Sequence, residues 1–359
     1  MKLRIAPILV PAVLILTSTP ACAEGSGWVD QIDFKGDLRL RYAGIDEEFE
    51  GNRDRMRFRS RFGFTAKVND DVKVVLQLAT GGDDPVSNNQ TVDDGFSTKD
   101  IGLDLAYVDW HVNDSLTINV GKVKNPLFRA GGVPLIWDGD LNPEGFAAKF
   151  SSGMFFGTVA GFVVEERSSS DDSLLYAVQA GLKFTFGHSN LTAGVGYFAY
   201  TGTIGNTPFH NGNAKGNSVD LNGNYLFDYK NTEVFAQFDS KLGNWPLRIF
   251  AHFTQNNEVS VEDTAFAYGA KLGSAKQAGS MEFTWMYQDI QADAVIATFN
   301  DSDFAGGGSD SDGHLLKAKY GLSEKIWLGG NFFFNNKDRY QGTEHDYFRV
   351  QIDLEFKFD

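Results

Sequence analysis

The chain has 359 residues, with 47 Asp or Glu against 32 Lys or Arg and a formal charge of −15, so it has no obvious use for nucleic acid. Its mean hydropathy is −0.26, and beyond Leu16 no run approaches the ~20 apolar residues of a membrane helix. Aromatic residues make up 14% and there are 39 glycines, a composition that fits alternating, half-buried strands better than a soluble enzyme core.

The first element is an export signal. Lys2 and Arg4 precede the apolar run Ile5 to Leu16, and Ala21-Cys22-Ala23 offers a small-x-small cleavage pattern. Residues 1–23 therefore read as a signal peptide and the mature chain as starting at Glu24, with 24–33 a short periplasmic leader. Losing Lys2 and Arg4 takes the formal charge from −15 to −17. Cys22 admits a lipoprotein alternative, which Pro20 disfavours. Cleavage after Ala23 removes the only cysteine, and with it disulfides, thiol catalysis and cysteine-ligated metals.

From Phe34 onward one alternating segment follows another. Phe34, Leu38, Leu40 and Tyr42 alternate with Lys35, Asp37, Arg39 and Arg41. In the next segment Arg55, Arg57, Arg59 and Arg61 alternate with Met56, Phe58, Ser60 and Phe62. Val72, Val74, Leu76 and Leu78 then alternate with Lys73 and Gln77, and Ala106, Val108, Trp110 and Val112 oppose Tyr107, Asp109 and His111. Tyr176, Val178, Leu182 and Phe184 oppose Gln179, Lys183 and Thr185, while Met281, Phe283, Trp285 and Tyr287 oppose Glu282, Thr284 and Gln288. The last segment sets Phe348, Val350, Ile352, Leu354, Phe356 and Phe358 against Arg349, Gln351, Asp353, Glu355 and Lys357.

The arginine segments decide what surrounds these strands. Period-2 spacing puts six guanidinium groups on one face and mostly apolar groups on the other. Like charges in a row need water, while the aromatic face wants a solvent without it. A transmembrane antiparallel β-barrel with a wet interior supplies both. Residues 34–359 are therefore predicted to form one all-β barrel with long outer loops and short periplasmic turns. A first count gives seventeen segments, which would put the long Asp289 to Asp312 connection on the periplasmic side. Reading Thr201 to Leu226 as one outer loop and Phe227 to Lys241 as one strand leaves about sixteen strands, a size that encloses an aqueous channel.

Seven stretches then resemble the putative-porin family of Gram-negative outer membranes: Gly36 to Tyr42 (GDLRLRY), Asp54 to Phe64 (DRMRFRSRFGF), Thr80 to Thr91 (TGGDDPVSNNQT), Ala106 to Trp110 (AYVDW), Gly121 to Pro126 (GKVKNP), Leu135 to Gly145 (LIWDGDLNPEG) and Asp293 to His314 (DAVIATFNDSDFAGGGSDSDGH). The resemblance spans essentially the whole mature chain. It implies a cell outer-membrane barrel and a passive channel, transfers no catalytic or substrate-binding residue, and makes a homotrimer an expectation by analogy. Asp359 after Phe358 departs from the aromatic ending usual in such barrels.

Two loops carry candidate chemistry. Lys122, Lys124, Arg129, Asp138, Asp140 and Glu144 surround a proline- and glycine-rich stretch that is expected to fold into the lumen as a constriction, the alternative being an ordinary loop over the mouth. Arg39, Arg41, Arg55, Arg57, Arg59 and Arg61 are the expected pore-lining residues, opposed either by permeating anions or by Asp37, Asp109, Asp353, Glu355 and the inward loop. Asp301-Ser302-Asp303 and Asp310-Ser311-Asp312 have hard oxygen ligands but not the full calcium-loop pattern, so no metal is expected. With no histidine pair, nucleophile elbow or phosphate loop, neither cofactor nor catalysis is expected. The functional expectation is passive diffusion of small hydrophilic solutes or ions, with outer-membrane lipid and lipopolysaccharide as surroundings. The alternative is a structural or adhesive surface barrel without channel activity.

Overall fold

The computed structural model describes residues 31–168, 171–340 and 342–359, so the signal-peptide cleavage and most of the leader lie outside the described residues. Sixteen antiparallel strands run β1 (Ile32–Glu47), β2 (Gly51–Lys67), β3 (Val72–Thr80), β4 (Ile101–Asn113), β5 (Leu116–Lys122), β6 (Glu144–Ser152), β7 (Phe155–Glu165) and β8 (Ser173–Phe186) through the first half. The second half holds β9 (Ser189–Tyr200), β10 (Lys230–Leu242), β11 (Trp245–Asn256), β12 (Thr264–Gly273), β13 (Met281–Ile290), β14 (Ser311–Gly321), β15 (Ile326–Lys337) and β16 (His345–Phe358). Each pairs with its chain neighbour, and β1 pairs with both β2 and β16, which closes the barrel and leaves no strand edge to satisfy in lipid.

Alternation sets the two faces. Met56 is 55% exposed and Phe62 and Phe34 point the same way, whereas Arg41, one residue from exposed Leu40 and Tyr42, is only 3% exposed. Tyr176, Val178, Phe283 and Trp285 likewise face outward, and Gln179 and Gln288 inward. Short links such as 114–115, 153–154, 187–188 and 243–244 alternate with the longer connections 81–100, 123–143, 201–229 and 291–310.

The strands are longer than the alternation alone indicated. β1 runs from Ile32 to Glu47, and only residues 48–50 separate it from β2. The long outer loop spans 201–229, and its would-be extra strand is a single bridge between Val219 and Tyr225. Segment 219–226 alternates, yet nothing in the wall is left for it to pair with. A two-residue strand, Gln90–Thr91, pairs with Arg57 and Phe58 where β2 outruns the shorter β3.

The apolar core lies inside the barrel, against one half of its wall. Leu135, Ile136 and Trp137 from loop 123–143, Phe209 and Tyr225 from loop 201–229, and Ile296 and Phe304 from loop 291–310 pack with Phe162, Phe198, Phe235, Phe250 and Ile290 of the strands. Glycines open the way for the first of these loops. Gly121 and Gly145 face each other across β5 and β6 at φ +125° and +151°, and a Cβ on either would lie 2.2 Å from a carbonyl oxygen of the adjoining strand.

Candidate functional site

The six arginines predicted from period-2 spacing share the inner wall of β1 and β2. Arg39 stands directly opposite Arg59 and Arg41 opposite Arg57, while Asp37 faces Arg61. Like charges directly opposed across a ladder are destabilising, so the wall must find counter-charge or water. On its other side β1 meets β16, where Arg41 faces Asp353 and Arg39 faces Glu355.

Three of the six arginines are neutralised. Asp353 accepts two hydrogen bonds from Arg41, at 2.6 and 2.7 Å, in a bidentate pair. Asp37 takes Arg59 at 3.0 Å and Arg61 at 2.8 Å, and Asp140 of loop 123–143 stands 3.5 and 3.6 Å from the same two. Glu355 binds Lys319 at 2.8 Å instead of Arg39, and Asp109 accepts a hydrogen bond from Asn119 within its own part of the wall.

The other three have no carboxylate partner among the described residues. Arg39 donates to the Asn89 side chain at 2.6 Å and Arg57 to the Asn89 carbonyl at 3.2 Å, both in loop 81–100. Arg55 makes no side-chain hydrogen bond or ion pair among the described residues, and its Nε is buried without a partner.

Two participants escaped the sequence reasoning. Asp303, one of the hard oxygen donors of the Asp301-Ser302-Asp303 run, reaches from loop 291–310 to Arg41 at 2.9 Å and to Arg349 of β16 at 2.6 Å. Burial by itself would raise its pKa, but Arg349 and Arg41 hold the carboxyl well below the usual range. The alternation of β16 had placed Arg349 inward, but nothing local linked it to a loop aspartate. The other acidic residues of that stretch are engaged as well: Asp312 accepts from the Tyr287 hydroxyl at 2.8 Å, and Asp310 from the Tyr340 backbone at 3.0 Å.

Loop 123–143 folds inward and crosses to the far wall. Gln179 of β8 accepts from the Phe128 backbone at 2.8 Å and donates back to its carbonyl at 3.0 Å. Gln237 of β10 accepts from Gly131 at 2.8 Å, and the Trp137 indole donates to the Tyr200 hydroxyl at 2.9 Å. Gly131 has φ +66°, and a Cβ there would lie 2.4 Å from the Phe250 ring, so the loop tip is pressed against β11. Loop 291–310 locks over it: Asp138 donates its N–H to the Phe299 carbonyl at 2.8 Å, and its carboxylate accepts from Ser302 at 2.9 Å.

The candidate loop residues do not all come together. Asp138 and Asp140 lie at this junction, and Arg129 donates to the carbonyls of Trp137 and Asp138 at 3.1 and 3.2 Å. Burial, then Asp301 and Asp140, push the Asp138 carboxyl up to about 8. Lys124 stands near Arg61 and Arg129, and burial together with these neighbours lowers its pKa. Lys122 and Glu144 pair at 2.8 Å on strand ends that share the parity of outward-facing Val120 and Phe146, at the barrel rim.

Two of the cavities along the charged wall bear on its arginines. The inner one, ≈ 390 Å³, lies between the loop tip Gly131–Pro134 and Arg39, Arg41, Lys271, Lys317 and Lys319. An outer one, ≈ 300 Å³, is lined by Arg53, Arg55, Arg57 and Arg349 together with loop residues. Arg41 and Arg57, opposite one another in the ladder, line one cavity each.

A sequence-family model described as a putative porin matches residues 46–222 and again 213–358. The chain belongs to the putative-porin family. Among solved structures it is similar to OprB of Pseudomonas putida in its high-pH form, at 15% identity and a TM-score of 0.63, covering 92% of this chain and 95% of that one. A loop-deletion mutant of OmpT from Vibrio cholerae aligns at 12% identity and a TM-score of 0.51 over 91% of this chain and 99% of that one. A multiply substituted mutant of the Rhodopseudomonas blastica porin aligns at 11% and 0.53 over 91% and 100%. At these identities the likeness is one of fold. A search of curated proteins found no match. The family and the barrel place this porin in the outer membrane, with lipid around its apolar belt.

Proposed function

We propose that this porin passes small hydrophilic solutes by diffusion, that loop 123–143 narrows its lumen, and that the wall of β1 and β2 favours anions. The observation that carries the reading is the unequal pairing of the ladder: Arg41, Arg59 and Arg61 are ion-paired with carboxylates, whereas Arg39, Arg55 and Arg57 line lumenal cavities without an ion pair of their own among the described residues. The first three stiffen the wall, and the second three leave positive potential for a solute to meet. Two unit charges about 7 Å apart interact by about 0.6 kcal/mol in water and by more at lower effective dielectric. Three such charges together slightly exceed the ~1.4 kcal/mol that corresponds to a tenfold ratio.

The test is the reversal potential of the purified channel across a KCl gradient at low ionic strength, where screening is weak. Replacing Arg39, Arg55 and Arg57 with Gln should lower the anion-to-cation permeability ratio on the order of tenfold. A folded, conducting triple variant with the parent's selectivity would overturn the anion reading. A correctly inserted parent that carries no current would overturn the channel itself.

A further inference from the structure

The outer cavity differs from the rest of the interior in the balance of its charges. Arg53, Arg55 and Arg57 enter it from β2, Arg349 from β16, Lys337 from β15 and Lys215 from loop 201–229. The carboxylates on its lining are Glu47 and Asp84. Glu47 is occupied by Lys337, at 2.5 Å, and by His345, at 3.2 Å. Asp84 caps its own turn, accepting from the Val86 N–H at 3.0 Å. Asp303, the acid nearest to Arg349, is shared between that residue and Arg41. Among the described residues the side chains of Arg53, Arg55 and Lys215 then have neither an ion pair nor a hydrogen bond, and Arg57 has only the Asn89 carbonyl.

Unpaired cations in a chamber this small are costly unless an anion joins them. A guanidinium fork matches a pair of oxygens on a phosphate or a carboxylate, and several converging on one volume select for more than one negative charge. Three loops shape the mouth of the chamber. Loop 81–100 contributes Val86 and Ser87, loop 291–310 contributes Ala297, Asn300, Ser302 and Gly306–Gly308, and the Ser309 N–H donates to the Lys215 carbonyl at 3.0 Å, holding the lysine's loop against that segment. Its arginines sit on the inward face of their strands, so a lipid headgroup outside the barrel does not reach them.

We infer that this outer cavity is a saturable binding site for a small dianionic oxyanion, held by Arg53, Arg55, Arg57 and Lys215. The inference rests on the porin reading and adds to it, since a wall that merely biases passing ions needs no occupancy. A solute held here stands at the outer end of the ladder, one row from Arg41 and the inner cavity.

The test is isothermal titration of inorganic phosphate into the detergent-purified full chain at low chloride, paired with planar-bilayer recording of the same preparation in KCl. Binding should saturate, and Arg55→Gln with Arg57→Gln should weaken it at least tenfold. Lys241→Gln, a charge removed from the opposite wall at its periplasmic end, should leave it unchanged, with circular dichroism confirming the β-sheet of every variant. A wild-type channel that conducts KCl but takes up no phosphate, or binds it equally well in the double variant, overturns the site and leaves the porin reading intact. Saturable binding by a protein that carries no current would sustain the site while removing the channel.

Discussion

The two halves of the barrel interior are built from the same alternating strands and end up as opposites. Around β6 to β13 the inward side chains include Ala147, Phe162, Leu175, Phe198, Phe235, Phe250 and Met286, and three loops bury their apolar residues against them. Around β15, β16, β1 and β2 the inward positions hold Arg349, Asp353, Arg39, Arg41 and the arginine row, and the loops reach that wall with Asn89, Asp140 and Asp303 instead. On the function proposed above, the contrast would narrow a wide barrel from one side only. Apolar burial at roughly 25 cal/mol per Å² fixes the loops to one wall. On the charged wall Arg41, Arg349 and Asp353 are buried in ion pairs, while the arginines without a carboxylate partner are costly to dehydrate, which favours water in the remaining space.

The largest disturbance of this contrast is to remove the apolar filling. Deleting Arg129 to Trp137 while keeping the flanking strands should raise single-channel conductance at least about twofold, since the loop occupies lumen that the wall does not need for closure. Unchanged conductance in a correctly folded deletion would mean that the loop lies outside the solute path.

A smaller break targets one anchor. Trp137 is 3% exposed and donates to Tyr200, so Trp137→Ala forfeits about 3–5 kcal/mol of packing. Because the hydrogen-bonded wall closes independently of the loop, the cost should appear as noisier and somewhat larger single-channel currents, with barrel thermal stability nearly retained. Quiet currents of parental size would show that the aromatic anchor is redundant.

The finest adjustment is pH. With Asp138 pushed up to about 8, the folded chain holds a proton that the unfolded chain releases near the ordinary carboxylate pKa. Stability of the loop junction should therefore fall as pH rises from about 4 towards 8 and level off above it. Recordings between pH 6 and 9 should show current noise growing with a midpoint near 8, as Asp138 becomes charged beside Asp301 and Asp140. Asp138→Asn should flatten that profile, and a variant that keeps the parental midpoint would assign the titration to another group.

Much of the wall was legible in the chain. A period of two residues identifies strands and sorts their side chains to two faces, and the asymmetry between short and long connections settles the strand parity at sixteen. Both are properties of neighbouring residues and need no knowledge of what lies across the barrel. Strand ends were less legible. Glu47 and Gly51 extend β1 and β2 past the apolar belt, where the outer face no longer has to be hydrophobic and the alternation that marks a strand fades.

The sequence by itself thus determined the barrel and the strand count and set six arginines at one parity of two adjoining strands, because a pleated strand turns local alternation directly into opposite faces. Only the tertiary structure decided which charges remain. Asp303 meets Arg41 from 262 residues away, Gln237 holds Gly131 from 106 away, and Lys215 joins Arg53, Arg55 and Arg57 across the outer chamber. Such partners are chosen by closure of the sheet and by where the loops find apolar surface to bury, and no short-range pattern encodes either distance.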